Sequence, residues 1–381
     1  MKTIIFGGAF DPPHNEHVMM LKAAIAATGA TRAVVVPTYS PPHKSSAVLP
    51  FEVRERLCRA AFEGIDGVRV VVDDIERRRG GDNYSCLVLP ILKKKYGDDT
   101  VFLMGGDSLR YLDTWRDPGA ILAASPVLAV ARVGFGEARA TAEDIMRRLG
   151  GSITVIEPGE KGVSSARVRA TLMLGEHCDD IPAEVGDMIR REGLMREMSE
   201  TVKKVRESES DELYEHTRQV IFRALDLNSL HNLKCAFREV FLAALLHDNA
   251  KERKDASGYD IPKDSVGTPV QHQFLGAAMA EKDYGVTSPA VISAIACHTT
   301  AKPDMTTFEK LIYTADSTSY DRMYDPIPAL REECDDDFEK GFRAVLRYTV
   351  DKLHSKGGAV YPLTEDAAKF YLDRGENETT E

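Results

Sequence analysis

The chain has 381 residues, 43% of them hydrophobic, and carries 49 Lys+Arg against 60 Asp+Glu, a formal net charge of −11. That is more chain than one hydrophobic core usually organises, so two domains are expected. The acidic balance argues against long nucleic acids and anionic membranes as partners, while small nucleotides with bound cations remain compatible.

The negative charge is uneven: residues 1–200 hold 26 basic and 28 acidic side chains, and residues 201–381 hold 23 and 32, net −2 and −9. Six cysteines (Cys58, Cys86, Cys178, Cys235, Cys297 and Cys334) are scattered with no Cys-x-x-Cys pair and read as reduced thiols. The chain opens on a strand-like run instead of a signal peptide, and no apolar stretch approaches the roughly 20 residues that span a bilayer. A cytoplasmic protein is expected, with no membrane partner and with homo-oligomer formation left open.

Over residues 1–198, short β-branched runs at 3–6, 33–36, 68–72, 101–104 and 126–130 alternate with amphipathic stretches at 16–27, 51–62, 85–96 and 143–148. The runs are apolar throughout rather than alternating, which suits a parallel sheet covered on both faces. The expected fold class is α/β, a doubly wound parallel sheet with ligands beyond the carboxyl ends of its strands. Residues 199–211 are highly charged, lack an evident apolar face and read as a linker. From 212 to 372 strand-like runs disappear, and segments such as 240–246 and 291–297 have helical periodicity, so an all-α second domain is expected. The polar, acidic end at 373–381 reads as a disordered tail.

The first chemical signal is Gly7-Gly8-Ala9-Phe10-Asp11-Pro12-Pro13-His14-Asn15-Glu16-His17. A strand runs into a double glycine, whose missing side chains let backbone amides approach a phosphate just before a helix begins. His14 and His17 are three apart, so one helical turn aims both imidazoles at the same ligand. Taken singly, a double glycine is commonly a turn and a His-x-x-His pair surface decoration; it is the company of further motifs along the chain that gives them weight.

This segment resembles the His-x-Gly-His nucleotidyltransferase superfamily, and specifically the nicotinate-nucleotide adenylyltransferases. Three further matches appear in the family's order: Pro41-Pro42-His43-Lys44, Gly105-Gly106-Asp107-Ser108-Leu109 with Trp115, and Val163-Ser164-Ser165-Ala166-Arg167-Val168-Arg169. The resemblance implies AMP transfer from ATP, accompanied by Mg2+, to nicotinate mononucleotide, with catalysis by positioning and charge stabilisation. It assigns Gly7, Gly8, Phe10, Ser164 and Ser165 to ATP and its phosphates, and His14, His17, Lys44 and Arg169 to catalysis. Ser85, Gly105, Asp107, Trp115 and Arg132 fall to the mononucleotide, Trp115 by stacking on the pyridine ring. Two positions depart from the pattern: Glu16 stands where the motif has Gly, and Ala166 where the clamp has Thr. Phosphopantetheine or cytidyl transfer shares the phosphate cradle, but Trp115 and the Pro41-to-Lys44 loop argue against both. The choice between nicotinate and nicotinamide mononucleotide stays open.

In the second half, His216, the adjacent His247-Asp248, His272, His298 and Asp316 are separated by spacings of 31, 24, 26 and 18 residues. Such spacings suit side chains from successive helices converging inside a bundle. Imidazoles and carboxylates without thiolates favour a site for divalent transition metals over a structural zinc site. Two metals would acidify water and clamp a phosphate, and Asp248 is placed to bridge them. His231 and His354, outside every motif, show that ordinary histidines occur here too, and an isolated His247 would read as a core residue.

These positions resemble the HD phosphohydrolases, and their contexts resemble the symmetrical bis(5'-nucleosyl)-tetraphosphatases. The resemblance implies two metals, iron foremost or else manganese, cobalt, nickel or zinc, and hydrolysis of diadenosine tetraphosphate to two ADP. It places His216, His247, Asp248 and Asp316 on one metal and Asp248, His272 and His298 on the other, with Asp248 catalytic and Lys251 neutralising phosphate charge. Ser317 to Asp321 intervene where the family has Lys and Glu, which bears on substrate contacts. A regulatory nucleotide-sensing role, or another substrate such as a deoxynucleoside triphosphate or cyclic dinucleotide, remains an alternative for this domain.

Overall fold

The computed structural model describes residues 1–39, 49–131, 138–156, 163–357 and 359–373. Lys44, Arg132 and residues 374–381 lie outside them, as does the side chain of Asp107. The chain divides into two compact units, Met1–Arg196 and Glu197–Glu381.

The first unit is built on six parallel strands: β1 (Thr3–Gly8), β2 (Arg32–Pro37), β3 (Arg69–Val72), β4 (Thr100–Gly105), β5 (Val127–Val130) and β6 (Ile153–Ile156), in the order β3-β2-β1-β4-β5-β6. Among the described residues, nine helices connect and follow them: α1 (Asn15–Thr28), α2 (Phe51–Phe62), α3 (Ile75–Arg79), α4 (Ser85–Tyr96), α5 (Gly106–Arg110), α6 (Pro118–Ala124), α7 (Ala138–Leu149), α8 (Ser165–Met173) and α9 (Ala183–Glu192). The apolar runs of β1, β2 and β5 are buried along nearly their whole length because helices cover the sheet on both faces. The doubly wound fold expected from the periodicity is therefore the observed one. β6 is an addition: Ile153-Thr154-Val155-Ile156 is a short edge strand with only Ile153 fully buried, too weak a pattern to stand out.

Chain order reverses direction at the β1–β4 pair, and the crevice beyond the carboxyl ends of such a pair is where open α/β sheets bind ligands. Gly7 and Gly8 end β1, and Gly105 ends β4. The topology thus brings the first two glycine segments of the motif series to one crevice.

The second unit is helical: α10 (Ser199–Ser208), α11 (Asp211–Leu230), α12 (Phe237–Leu246), α13 (Gln271–Lys282), α14 (Pro289–Cys297), α15 (Thr307–Ser317), α16 (Ile327–Asp336), α17 (Phe338–Ser355) and α18 (Pro362–Ala368). Local chemistry sets several of the starts. The Ser210 hydroxyl accepts from the Leu213 amide ahead of acidic Asp211 and Glu212, and Thr306 and Glu309 form a capping box. α11 packs on α12 and α15, and α14 on α13 and α15, so the motif-bearing helices share one core. The stretch read as a linker is helical over most of its length: Val202 and Val205 on α10 are buried, three residues apart on one face. Asp373 ends a helical turn, Lys369–Asp373, so the tail expected from 373 is helical at its first residue. Among the described residues no helix is long and apolar enough to cross a membrane, and all six cysteines are unpaired thiols.

Candidate functional site

In the first unit, the imidazoles of His14 and His17 lie against each other at a 37° tilt, with centroids 3.7 Å apart, at the start of α1. The His14 amide donates to His17 Nδ1 at 3.2 Å, so the second histidine also caps the helix that carries both. His14 Nε2 lies 3.1 Å from Ser165 Oγ, the first residue of α8. Two helix N-termini and two imidazoles therefore meet, an arrangement suited to a phosphate chain.

Four of the predicted phosphate contacts also make structural contacts within the unit. Phe10 is buried and packs edge-on against Phe6, Phe62 and His17 at 5.1, 5.5 and 5.1 Å, so it supports His17 as part of an aromatic cluster. A Cβ on Gly8 would lie 3.0 Å from the Phe10 ring, so any side chain there would force the ring to give way. Arg169 is buried and donates to the Asp11 carbonyl at 2.6 Å, with the Asp11 carboxylate at 3.7 Å, tying α8 to the loop before α1. The Ser164 hydroxyl accepts from the Arg167 amide as the cap of α8. Glu16, the departure from the His-x-Gly-His pattern, is buried.

Beside this cluster, a cavity of about 290 Å³ is lined by Gly7, Gly8, Ser85, Ser108, Trp115 and Arg116, among others. Its volume and mixed lining suit a small planar ligand with polar handles. Trp115 packs against the edge of the core and also lines the cavity. Arg116 lies over the Tyr84 ring at 4.7 Å. Sequence reasoning missed two further lining residues, Glu76 and Asn83, hidden in a polar run that resembles a solvated surface. Glu76 accepts from the Tyr39 amide at 2.8 Å, and burial pushes its carboxyl up to about 7 despite that contact and the nearby Arg54 and Arg79. Lys44, Arg132 and the Asp107 side chain lie outside the described residues.

The second unit brings all six predicted donors into one centre. They form two triads, His216 with His247 and Asp316, and Asp248 with His272 and His298, whose donor atoms lie within 4.8 Å of one another in each. Asp248 joins them: its Oδ1 is 3.3 Å from Nε2 of both His272 and His298, and its Oδ2 is 3.5 Å from His247 Nε2 and 4.0 Å from His216 Nε2. One carboxylate oxygen thus faces each triad.

The ring orientations are set by what each far nitrogen touches. Nδ1 of His247, His272 and His298 approaches the carbonyls of Ala244, Pro269 and Ile295 at 2.7, 2.8 and 2.8 Å. A carbonyl only accepts, so each Nδ1 carries the hydrogen and each Nε2 is turned to the centre. Burial pushes His247 down to about 4 and His272 down to about 3, so both are neutral at pH 7 and offer lone pairs. His216 differs. Burial would lower it, but Asp316 at 3.0 Å on Nε2 and Asp321 at 2.9 Å on Nδ1 outweigh that and push it up to about 9. Despite burial, the facing imidazoles and Lys251 hold Asp248 well below the usual carboxylate range, and Arg322 and His216 do the same for Asp316.

His247 Nε2 is fully buried with no hydrogen-bond partner among the described residues. An orphaned lone pair amid two ionised carboxylates is costly to keep unless a cation completes it, so the donor set fits metal ions. Lys251 reaches inward to Asp248 Oδ1 at 3.3 Å and His272 Nε2 at 3.2 Å. Thr299, unremarked in the sequence beyond its neighbour His298, places its hydroxyl 3.0 Å from Nε2 of both His272 and His298.

Comparison with known proteins agrees with both halves. Residues 5–171 match the cytidylyltransferase-like family and residues 213–321 the HD domain family. A Thermotoga maritima protein described as a probable nicotinate-nucleotide adenylyltransferase is 36% identical over 128 residues, 34% of this chain and 61% of that protein. A protein of the same description from Rubrobacter xylanophilus is 30% identical over 200 residues, 51% of this chain and 92% of the relative. The alignments with the first four relatives span 57 to 64% of those proteins' lengths. A Clostridium acetobutylicum structure described as a predicted HD superfamily hydrolase involved in NAD metabolism is 25% identical, covering 45% of this chain and 95% of that one, with a TM-score of 0.42, a superposition too loose to carry weight. With a glycine-ended sheet crevice, a paired histidine cluster and a relative matched over nine-tenths of its length, the chain belongs to the nicotinate-nucleotide adenylyltransferase family and carries an HD domain behind that part.

Proposed function

We propose that this protein is a bifunctional nucleotide enzyme: the first unit joins ATP and nicotinate mononucleotide into deamido-NAD with release of pyrophosphate, and the second splits diadenosine tetraphosphate into two ADP. The names of the relatives support the first half. The observation that carries it is the juxtaposition of the His14–His17–Ser165 cluster with the cavity lined by Ser85 and Trp115 at the sheet crevice. The mononucleotide phosphate would attack the α-phosphorus of ATP, and no protein nucleophile is required. His17, His14 and Ser165 would hold the triphosphate where charge develops, Trp115 would stack on the pyridine ring, and Ser85 at the start of α4 would meet its carboxylate. Phe10, Arg169 and Ser164 would act one step back, fixing His17, the Asp11 loop and α8.

For the second half, the carrying observation is Asp248, with one oxygen toward each triad. Paired divalent cations, when bound, would acidify a water and neutralise the phosphate under attack. His216, His247, Asp316 and one Asp248 oxygen would hold the first, and His272, His298 and the other oxygen the second. Lys251, 45% exposed, has the reach to turn from Asp248 to a substrate phosphate.

The test is direct. The full chain, given ATP and nicotinate mononucleotide, should release pyrophosphate with formation of deamido-NAD. Given diadenosine tetraphosphate and Mn2+, it should yield ADP alone. Formation of ATP plus AMP, or preference for a cyclic dinucleotide, would refute the second assignment.

A further inference from the structure

The four histidine donors are each held through the far nitrogen, and the grips are unequal. His247, His272 and His298 each lean on a neutral backbone carbonyl three residues earlier in their own segment. His216 leans on a carboxylate from elsewhere in the chain, Asp321 Oδ2, 2.9 Å from its Nδ1. A charged acceptor on the far nitrogen orients an imidazole and makes it a stronger donor than a carbonyl does. The next residue, Arg322, donates to Asp316 Oδ1 at 2.5 Å. Adjacent residues 321 and 322 therefore contact two members of the first triad: Asp321 holds His216 by its far nitrogen, and Arg322 sits on Asp316 Oδ1, the oxygen that faces His216 Nε2 at 3.0 Å.

This segment is itself fixed. Arg331 donates to the carbonyls of Thr318, Ser319 and Arg322 at 3.0, 2.7 and 3.0 Å. The buried Arg223 donates to Thr318 Oγ1 at 3.1 Å and to Asp335 at 2.6 Å. Asp321 thus needs no ordering before it can orient His216, and preorganisation of this kind keeps a ligand in productive geometry. Each triad also has a cation against it, Arg322 on Asp316 and Lys251 on Asp248, so local positive charge is present on both sides. The triads differ in two ways: the first holds Asp316 as a carboxylate of its own beside the shared Asp248, and its His216 alone is anchored by a carboxylate.

We propose that Asp321 is the positioning residue of the first triad, holding His216 with Nε2 toward the centre and, together with the additional carboxylate Asp316, making the first metal site stronger than the second. Asp321 is not a ligand in this arrangement; it acts through the far nitrogen of one. The inference rests on the metal-binding reading of the centre, and the experiment separates the two. The full chain, stripped with a chelator, is titrated calorimetrically with Mn2+, as wild type, Asp321→Asn and Asp321→Ala, with circular dichroism confirming that each is folded. The wild type should show two uptake events of different strength. Asp321→Ala should weaken the stronger by about 10- to 100-fold and leave the weaker unchanged. Asp321→Asn, which keeps an acceptor without its charge and disturbs packing least, should fall between. Two equal events in the wild type, or equal weakening or none in the variants, would overturn the inference while leaving a metal centre standing. No Mn2+ uptake by the wild type would overturn the metal-binding reading itself.

Discussion

Replacing Asp248 by Asn changes one oxygen for one nitrogen at the point where both triads meet. The two Oδ1 contacts at 3.3 Å to His272 and His298 Nε2 involve lone-pair nitrogens, to which a new amide N–H can donate. The variant should therefore fold. It should lose cations from both triads together, since each would surrender its share of the bridging charge. A ligand at 100 times its Kd stabilises the native state by about 2.7 kcal/mol, and one kcal/mol raises the melting temperature of a unit the size of Glu197–Glu381 by roughly 2–4 °C. Scanning calorimetry with Mn2+ in that excess should thus raise the wild-type transition of this unit by about 5–11 °C per site filled, and that of Asp248→Asn by almost nothing. Dinucleotide synthesis should persist in the variant while tetraphosphate hydrolysis disappears. A metal-dependent rise of the wild-type size in Asp248→Asn would refute the bridging role.

Other consequences are open to simpler measurement. His17→Ala should reduce adenylyl transfer by roughly 100- to 1,000-fold and leave tetraphosphate hydrolysis intact; loss of both activities in a steady-state assay would mean that the units depend on each other. Trp115→Ala should raise KM for nicotinate mononucleotide by roughly tenfold with a smaller change for ATP, and equal changes for both substrates would contradict stacking on the pyridine. Glu76 has its folded pKa raised from 4.5 to about 7, so the fold favours the neutral form. That contribution is fully present below pH 4.5 and is lost as pH rises through 7. Urea unfolding of the first unit should show the loss between about pH 4.5 and pH 7, and Glu76→Gln should flatten it; the same slope in the variant would show that Glu76 is not its source.

Much of this organisation is legible in the sequence where pattern and chemistry coincide. The apolar runs of β1, β2 and β5 have one reading because burial on both faces leaves no room for polar residues. The six donors of the HD centre converge as expected because spacing and residue type both demand partners: a carboxylate beside an apolar-flanked histidine is hard to place otherwise. Legibility fails where a residue's role depends on direction. Phe10 and Arg169 lie in motifs expected to bind phosphate yet turn inward to hold other residues, and Ser164 caps its own helix. Glu76, Asn83, Thr299 and Asp321 gain their places only through contacts distant in sequence, such as the 105 residues between His216 and Asp321. α10 is hidden because its charged residues outnumber its two buried valines, although three-residue spacing is present.

His247 and His298 each stand at the carboxyl terminus of a helix, directly after Leu246 of α12 and Cys297 of α14. Each inserted residue turns a helix by about 100°, so lengthening either one at that end would swing its imidazole away from Asp248. Changes in helix length over evolutionary time should accumulate instead at the opposite ends, near Phe237 and Pro289, where growth leaves the register of the two imidazoles untouched. The same reasoning guides engineering: tags, loops or reporters joined before α12 or α14 should be tolerated, and single-residue insertions in their last turns should not.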